Sequence, residues 1–509
     1  MAITARCPTD RTWLAAAVLL LIAPAAQADR WAVDAGVSSM LTWSSNAEIG
    51  IGASETPSDV ILNLRPRATL RGEGSRMKVS GTLALETVTY ADETQPNRVL
   101  PEVDLRGRFE AIQRFFFLEA GARATRTRQD LFGVGNGDTG SVNTITTGQA
   151  NLSPSIEADF SQQARLRVRS DNSWTRDLGD ETTQSAAAAG YFGNHLLLLE
   201  HDPRPFGWRA EATRAETKYR DIAGDPLITD LVRLSVDYAV GQDATVGLRV
   251  GREHTLRDKI EQWNRVYGWQ ARWLPNERTS LTAFEEKRSF GTAWNLRFDR
   301  RTPQLAWTIN TSRQLDSTPQ SALDLQAGAN VAALLDAIFT TRYPDPVERA
   351  RVVADFMATT GVSGSIQQPL SIYARRLSIS TSNTATVSII GARSTITLSG
   401  FSVRTEDAPD ATLQQLGSAI TNNTQRGGAA ALTYRLSPRL NFSTSADWLR
   451  VSALQAADQT TQTSVRAQLA LQLAPRTSGI AGARYRSVRS NVTPDGKEGS
   501  IFVGLDYRM

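Results

Sequence analysis

Apolar and polar residues alternate along most of this chain. Between positions 31 and 44 most apolar side chains, including Trp31 and Trp43, fall at odd positions, whereas Asp34, Ser38 and Thr42 fall at even ones. A period of two is typical of a β-strand whose two faces meet different surroundings. The alternation recurs in segment after segment as far as the last residues. It predicts an all-β fold, a large antiparallel transmembrane β-barrel that begins at residue 29 and ends at residue 509.

Short and long connections alternate between the predicted strands. The expected short turns include 161–163, 241–243 and 437–439, and the expected long polar connections include 176–185, 254–264 and 404–425. Barrels of bacterial outer membranes have short periplasmic turns and long external loops, so the first strand is predicted to run outward. About 18–22 strands are expected, and 22 is preferred because an even number leaves both termini in the periplasm. The count depends on a strand near 189–200 and on a division of 279–298 into two strands.

Aromatic residues mark the predicted edges of the membrane. Trp31 and Trp43 are 12 positions apart, which is about 28 Å along the membrane normal for a strand tilted by about 45°. That distance matches an apolar band with an aromatic girdle at each edge. The girdle is predicted to contain Trp31, Trp43, Phe116, Phe160, Trp174, Trp208, Trp273, Trp448 and Tyr507.

Residues 315–366 break the alternation and predict one small helical insertion in a loop. Asp345 and Pro346 suit a helix N-cap and the first helical position, and Glu348 follows at the third. Apolar residues then continue at helical spacing as far as Gly361, a natural helix stop. Strand parity puts the insertion outside, and a reversed parity would put it on the periplasmic side. It either covers or enters the pore, or forms a small surface subdomain.

The first 28 residues have the organisation of a secretory signal peptide. Arg6 and Arg11 precede an apolar stretch, and Ala26-Gln27-Ala28 forms a cleavage site before Asp29. A membrane helix would need about 20 apolar residues, and this stretch is shorter. Cys7 is the only cysteine in the sequence. The mature protein is therefore predicted to have no disulfide and no thiolate metal site.

The composition fits a barrel with a water-filled interior. Hydrophobic residues make up 41% of the chain, charged residues 21%, and the mean hydropathy is -0.29, as in a soluble protein, because half of each barrel strand faces water. The residues predicted to line the lumen are Arg65, Arg67, Arg71, Arg106, Arg108, Arg123, Arg165, Arg167, Arg169, Arg233, Arg249 and Arg272. These arginines either solvate the inner wall and pair across strands, or form a path that attracts anionic glycans.

The sequence does not favour an enzyme. The three histidines, His195, His201 and His254, include no pair with metal-ligand spacing, so no metal site and no cofactor are predicted. His254 with Glu253 and Asp258 is the one group that could act as a base beside an acid at the outer rim. No phosphate-binding loop, dinucleotide turn or nucleic-acid motif is present. We therefore predict no catalytic residues and no nucleic-acid partner.

Several stretches, in order along the chain, resemble one family of barrels. They are the opening strand from Trp31 with Asn46-Ala47-Glu48, Leu64-Arg65-Pro66, residues 114–120, residues 273–279, residues 288–291, Tyr343-Pro344-Asp345-Pro346 and residues 391–395. The chain resembles the outer-membrane β-barrel family associated with PEP-CTERM protein-sorting and exopolysaccharide systems. The family more often has an Asp-Asn pair where this chain has Asn46-Ala47-Glu48. The resemblance assigns a role to no individual residue.

The final strand resembles the last strands of other outer-membrane barrels, which the barrel assembly machinery reads. Those strands usually end in Phe or Trp, whereas this chain ends in Met509, with Tyr507 two positions earlier. The resemblance implies a location in the outer membrane of a Gram-negative cell, among outer-membrane lipids and lipopolysaccharide.

Two functions are compatible with the sequence. One is a porin-like pore or an exporter component that serves exopolysaccharide secretion or protein sorting, with the exopolysaccharide and its secretion proteins as partners. The other is a non-transporting surface or scaffold protein whose barrel is filled.

Overall fold

The computed structural model describes most of the chain from residue 30 onward. The described residues are 30–49, 56–128, 130–133, 143–161, 163–178, 190–219, 226–257, 260–317, 377–407 and 422–509, with 335–336, 339–340, 343, 349 and 352–353. The predicted signal peptide, 1–28, lies outside them.

The described residues form 22 antiparallel strands in one closed sheet. The strands are β1 (Arg30–Ser44), β2 (Asp59–Glu73), β3 (Met77–Tyr90), β4 (Arg98–Ile112), β5 (Phe116–Arg128), β6 (Thr144–Asp159), β7 (Ala164–Asp177), β8 (Gly190–His201), β9 (Phe206–Tyr219), β10 (Leu227–Val240), β11 (Ala244–Arg257), β12 (Ile260–Asn276), β13 (Thr279–Arg288), β14 (Gly291–Arg301), β15 (Leu305–Ser317), β16 (Leu377–Ile390), β17 (Ser394–Asp407), β18 (Asn423–Ser437), β19 (Leu440–Ala453), β20 (Gln459–Ala474), β21 (Thr477–Ser490) and β22 (Gly496–Arg508). β1 also pairs with β22, from Gly36 opposite Arg508 to Ser44 opposite Ser500, which closes the barrel. The predicted fold class and the preferred count of 22 strands are confirmed.

The two segments on which the predicted strand count depends, near 189–200 and 279–298, form strands of this barrel. β8 pairs along its length with β7 and β9. β13 and β14 are separate strands that pair from Arg288 opposite Gly291 onward, with Ser289 and Phe290 between them. The parity of every later strand therefore follows the sequence prediction.

The two ends of the barrel differ in the length of their connections. At one end, which we call the turn end, every connection has two to four residues, whereas connections at the other end, the loop end, have two to 59 residues. One predicted long connection, 254–264, is wrong, because β11 continues to Arg257 and β12 begins at Ile260. His254 and Trp263 lie opposite each other in that extension, and their rings stack at 4.3 Å. Polar residues beyond the apolar band can remain hydrogen-bonded in a strand, so a run of polar residues does not by itself mark the end of a strand.

A contact across the barrel identifies the inward face of the sheet. Leu131 and Phe132, just after β5, are buried in one cluster with Leu449 of β19, which is eight strands away around the sheet. Side chains so far apart on the wall meet through the interior, so Leu449 faces inward. Residues directly opposite each other on neighbouring strands share a face, and the registers carry this assignment consistently around all 22 strands.

Only scattered positions of the predicted insertion are described. β15 extends to Ser317, so 315–317 are strand, and residues 335–336, 339, 349 and 352–353 are helical. The Nε of Arg349 donates a hydrogen bond of 2.7 Å to Oδ1 of Asp336. The rest of the insertion lies outside the described residues, and its position relative to the pore stays a prediction. Among the residues that the structure describes, no helix is both long and apolar enough to cross a membrane.

Candidate functional site: the interior of the barrel

All twelve arginines proposed for the lumen lie on the inward face, and nine of them form ion pairs with neighbouring acids. The nitrogen–oxygen separations of these ion pairs include Arg65 to Glu102 at 2.5 Å, Arg67 to Asp506 at 2.6 Å, Arg106 to Asp104 at 3.1 Å, Arg108 to Glu119 at 3.7 Å, Arg165 to Asp202 at 2.9 Å, Arg167 to Glu157 at 3.8 Å, Arg169 to Glu119 and to Asp171 at 2.8 Å, Arg233 to Glu286 at 3.0 Å and Arg249 to Glu286 at 3.2 Å. Within the described ranges Arg71, Arg123 and Arg272 form no ion pair. Neighbouring acids therefore neutralise the charge of most of the arginines predicted to line the lumen.

One network of buried charges lies on β9 to β13. Glu286 is only 1% exposed and accepts hydrogen bonds from Nη1 of Arg233 on both carboxylate oxygens at 3.0 Å. Arg233 also donates to Glu211 through Nη2. Arg249 shares Glu286 and lies over the ring of Phe284 at 4.7 Å. Carboxylates and the face of a ring thus hold both guanidinium groups in place on the inward face.

Two glycines make room for this arrangement. Gly251 on β11 lies opposite Arg233, and Gly268 on β12 lies opposite Glu286. A Cβ at Gly268 would come within 2.0 Å of the carbonyl oxygen of Glu285, and a Cβ at Gly251 within 2.2 Å of the carbonyl oxygen of Val232. The strands are too close together here for any residue larger than glycine. Without side chains at these two positions, Arg233 can extend across β11 and β12 to reach Glu286 on β13.

An apolar patch interrupts the charged inner wall. It consists of Phe401 and Val403 on β17 with Leu449 and Val451 on β19, all at most 8% exposed. The segment Asp130–Gly133, which we call the inward segment, packs against it with Leu131 and Phe132. The carbonyl oxygen of Phe132 also accepts a hydrogen bond of 2.9 Å from Oγ1 of Thr460 on β20.

This contact narrows the lumen. In a round barrel of 22 strands spaced ~4.8 Å apart, positions eight strands apart are separated by ~30 Å. Leu131 follows the end of β5 by three positions, a reach of at most ~10 Å. The wall at β5 and the wall at β19 must therefore approach each other. The contacts extend from Phe401, near the middle of β17, to Val451 and Thr460, close to the loop end of β19 and β20, so the narrowing lies in the half of the barrel toward the loop end.

The inward segment is held at both ends. Asn143, just before β6, accepts a hydrogen bond from the amide of Asp130 and donates one to its carbonyl oxygen, both at 2.8 Å. Nη1 of Arg128 donates to the carbonyl oxygen of Gly133 at 3.3 Å. The guanidinium group of Arg128 also lies near the like charge of Arg486 on β21 and the opposite charge of Asp130. These contacts fix the segment between the charged wall at β21 and the apolar patch.

The nine aromatic residues predicted for the girdle lie on the opposite, outward side. Trp31, Trp43, Trp208, Trp273, Trp448 and Tyr507 are between 39% and 47% exposed, and Phe160 is 66% exposed. Phe116 and Trp174 are half-buried on the same outward face. The outward side of the sheet is thus apolar and aromatic, and the inward side is charged.

The one group that could have served an enzyme is not assembled. His254 faces outward and its Nδ1 lies 3.4 Å from Oδ2 of Asp230, whereas Glu253 faces inward, fully buried, and bonds to Arg288 and to the amide of Ser289. Asp258 lies outside the described residues. No group of three or more His, Cys, Asp or Glu side chains among the described residues is arranged to hold a metal ion.

Sequence reasoning missed one outward polar pair. Oγ of Ser170 on β7 and Nδ1 of His195 on β8 are 2.8 Å apart, and Nδ2 of Asn172 donates to the same hydroxyl at 3.0 Å. Each residue breaks the apolar parity of its own strand, which is the signal that strand-by-strand reading could have used. The three side chains satisfy one another on a face that is otherwise apolar.

Comparisons with known proteins find barrels but no family. No protein-family model and no curated protein matches the chain. Among solved structures, the chain is similar to the FrpB iron transporter from Neisseria meningitidis (F3-3 variant), with a TM-score of 0.49, 12% identity, and coverage of 96% of this chain and 83% of that chain. The siderophore receptor PirA from Acinetobacter baumannii gives a TM-score of 0.47 and 8% identity over 94% of this chain and 80% of that chain. OccK2 (OpdF) from Pseudomonas aeruginosa gives 0.36 and 9% over 94% and 98%. None of these matches supports the resemblance to the PEP-CTERM-associated family, which stays a prediction.

Proposed function

We propose that this protein is an outer-membrane channel whose lumen is narrowed by the inward segment Asp130–Gly133. An apolar, aromatic exterior suits lipid, and a charged interior suits water. The loop end then faces the outside and the turn end faces the periplasm. The observation that carries the proposal is the packing of Leu131 and Phe132 on the inward patch of β17 and β19. A barrel whose interior was filled by an apolar core would not need charged residues around the rest of its inner face.

The solute proposed for this channel is a polar polymer, the exopolysaccharide that the sequence resemblance implies. That part of the proposal is supported by the resemblance alone. We also propose the membrane lipids, the barrel assembly machinery and the secretion proteins as partners, and these too are supported by sequence resemblance alone. Loss of secreted polysaccharide after deletion of the gene, with restoration by the full chain, is the expected result in cells.

A second candidate is a non-transporting barrel. The observation that favours it is the local neutralisation of nine inward arginines, which leaves few charges to attract a solute. In this case the narrowed lumen would be closed in every state, and polysaccharide secretion would not depend on the protein.

Planar-bilayer recording on the purified full chain separates the two. The double variant L131S/F132S removes the apolar contact, and V492S, in the exposed connection before β22, is the matched control. A channel narrowed by the inward segment gives low conductance for the wild type and V492S, and a several-fold larger conductance for L131S/F132S. If no protein conducts, including a variant that lacks residues 321–361, the channel is excluded and the second candidate is adopted.

A further inference from the structure

The outward face of β10 to β12 carries an apolar band that ends abruptly toward the loop end. Val232, Val250 and Tyr267 are its last members, each 55% to 59% exposed. The next outward residues are Asp230 on β10, Arg252 on β11, which lies opposite Val232, and Arg265 on β12. Two arginines therefore stand at the boundary between the apolar band and the polar rim.

These two arginines face each other without a counterion. Arg252 and Arg265 are directly opposite in the register, and both are exposed. Neither has an ion pair among the described residues. Like charges directly opposite on neighbouring strands destabilise a sheet unless something neutralises them. The neighbouring outward cation, Arg214 on β9, has such a partner, because its Nε lies 3.8 Å from Oδ1 of Asp230.

A third cation extends the group onto β13. Lys287 lies opposite Tyr267 on the outward face and donates a hydrogen bond of 3.0 Å to Oγ1 of Thr292. Glu261, an outward acid of β12, lies beside Nε2 of His254 at 3.9 Å. Arg252, Arg265 and Lys287, which we call the cationic triad, thus form a concentration of positive charge across three adjacent strands.

The surroundings of the cationic triad suit a lipid headgroup. Trp263 is 63% exposed beyond Arg265, and Tyr267 lies on its other side. Amphipathic rings of this kind occupy the interface between hydrocarbon and headgroups. The connection from β13 to β14, Ser289 and Phe290, has only two residues and is too short to cover the triad.

We propose that the cationic triad binds the phosphate of a phosphorylated glycolipid in the outer leaflet. The phosphate oxygens would accept hydrogen bonds from both guanidinium groups, which present forked donors to them, and from the lysine ammonium. The anion would remove the repulsion between Arg252 and Arg265, while the acyl chains lie along Val232, Val250 and Tyr267. The inference rests on the proposed placement in the outer membrane, but it does not require the channel to be open.

Native mass spectrometry of the full chain in detergent tests the site with bisphosphorylated lipid A as the probe. The wild type is expected to retain this lipid and to bind the dephosphorylated form much more weakly. Because it loses the charge-assisted hydrogen bonds to phosphate, the variant R252Q/R265Q/K287Q should bind this lipid roughly tenfold more weakly than the wild type. The matched control R214Q/D230N, which removes a neutral ion pair on the same face, should bind as the wild type does.

Two results would overturn the proposal. One is equal retention by the triad variant and the wild type, with both shown to be folded by their heat-dependent mobility on gels. The other is displacement of the lipid by millimolar inorganic phosphate, which would identify a site for the free ion. Lipid retention is measured independently of conductance. A barrel that binds lipid A but does not conduct would therefore support this inference and contradict only the proposed channel function.

Discussion

Arg233 on β10 reaches Glu286 on β13, and its Nη1 lies 3.0 Å from each carboxylate oxygen although two strands intervene. Removing one partner leaves an uncompensated charge in a place from which water is excluded, since Glu286 is 1% exposed. We expect Glu286→Gln to lower the free energy of unfolding by ~3–5 kcal/mol. Thermal unfolding in detergent measures the loss. Since Glu211 and Arg249 share this network, a double-mutant cycle of R233Q and E286Q isolates the contribution of the pair. Unchanged melting of E286Q would show that the pair contributes nothing.

Gly268, which lies opposite Glu286 in the register, is also expected to contribute to the stability of the barrel. In Gly268→Ala the new methyl group would meet the backbone of β13, 2.0 Å from the carbonyl oxygen of Glu285. The two strands must move apart, so we expect a loss of ~1–3 kcal/mol in the same unfolding measurement. Gly400→Ala is the control, because its Cβ would meet nothing nearer than 3.9 Å. Equal stability of the two variants would refute the close approach.

Asp59, at the loop end of β2, is expected to make the connection after β3 sensitive to acid. It lies beyond Trp43, and its carboxylate accepts hydrogen bonds from the amide of Asp92 at 3.0 Å and from Oγ1 of Thr94 at 2.6 Å. Burial raises the pKa of Asp59, but these hydrogen bonds outweigh burial and hold the pKa below its ordinary value. The stabilisation is therefore complete above about pH 4, the ordinary carboxyl pKa, and is lost as the pH falls further.

Hydrogen exchange at the amides of Asp92 and Thr94 checks this dependence. Protection should be high at pH 6 and should fall on acidification in the wild type. Asp59→Asn cannot titrate, so its protection should be lower and independent of pH over the same range. Identical profiles for the two proteins would contradict the assignment.

The inward arginines without an acidic partner are expected to set ion selectivity once the lumen is widened. Three of the twelve arginines predicted to line the lumen form no ion pair among the described residues, namely Arg71, Arg123 and Arg272. Reversing their charge in the L131S/F132S background should shift the reversal potential in a salt gradient toward cation preference, because the fixed charge of the wall changes sign. R404E, on the outward face of β17, is the control and should leave selectivity unchanged. A shift of equal size in both proteins would exclude a role for the inner wall.

The strands and their faces were predictable because they depend on local order. Alternation around Trp31 and Trp43 is a property of consecutive residues, and so is the outward position of the aromatic girdle. The same local reading was wrong at 254–264, where His254 and Trp263 are polar or amphipathic and yet stay paired in strands. It also grouped Glu253 with His254, although strand parity puts neighbouring residues on opposite faces.

The sequence by itself determined that this chain forms a barrel of about 22 strands with a charged inner face, since a period of two is visible without any partner strand. Only the tertiary structure decided which charged residues pair with one another and how the interior of the barrel is narrowed. Three arrangements each join residues from different strands or loops: the pairing of Arg233 with Glu286, the opposition of Arg252 and Arg265, and the packing of Phe132 in one buried cluster with Leu449. Register and closure bring them together, and both depend on the whole sheet rather than on any one segment.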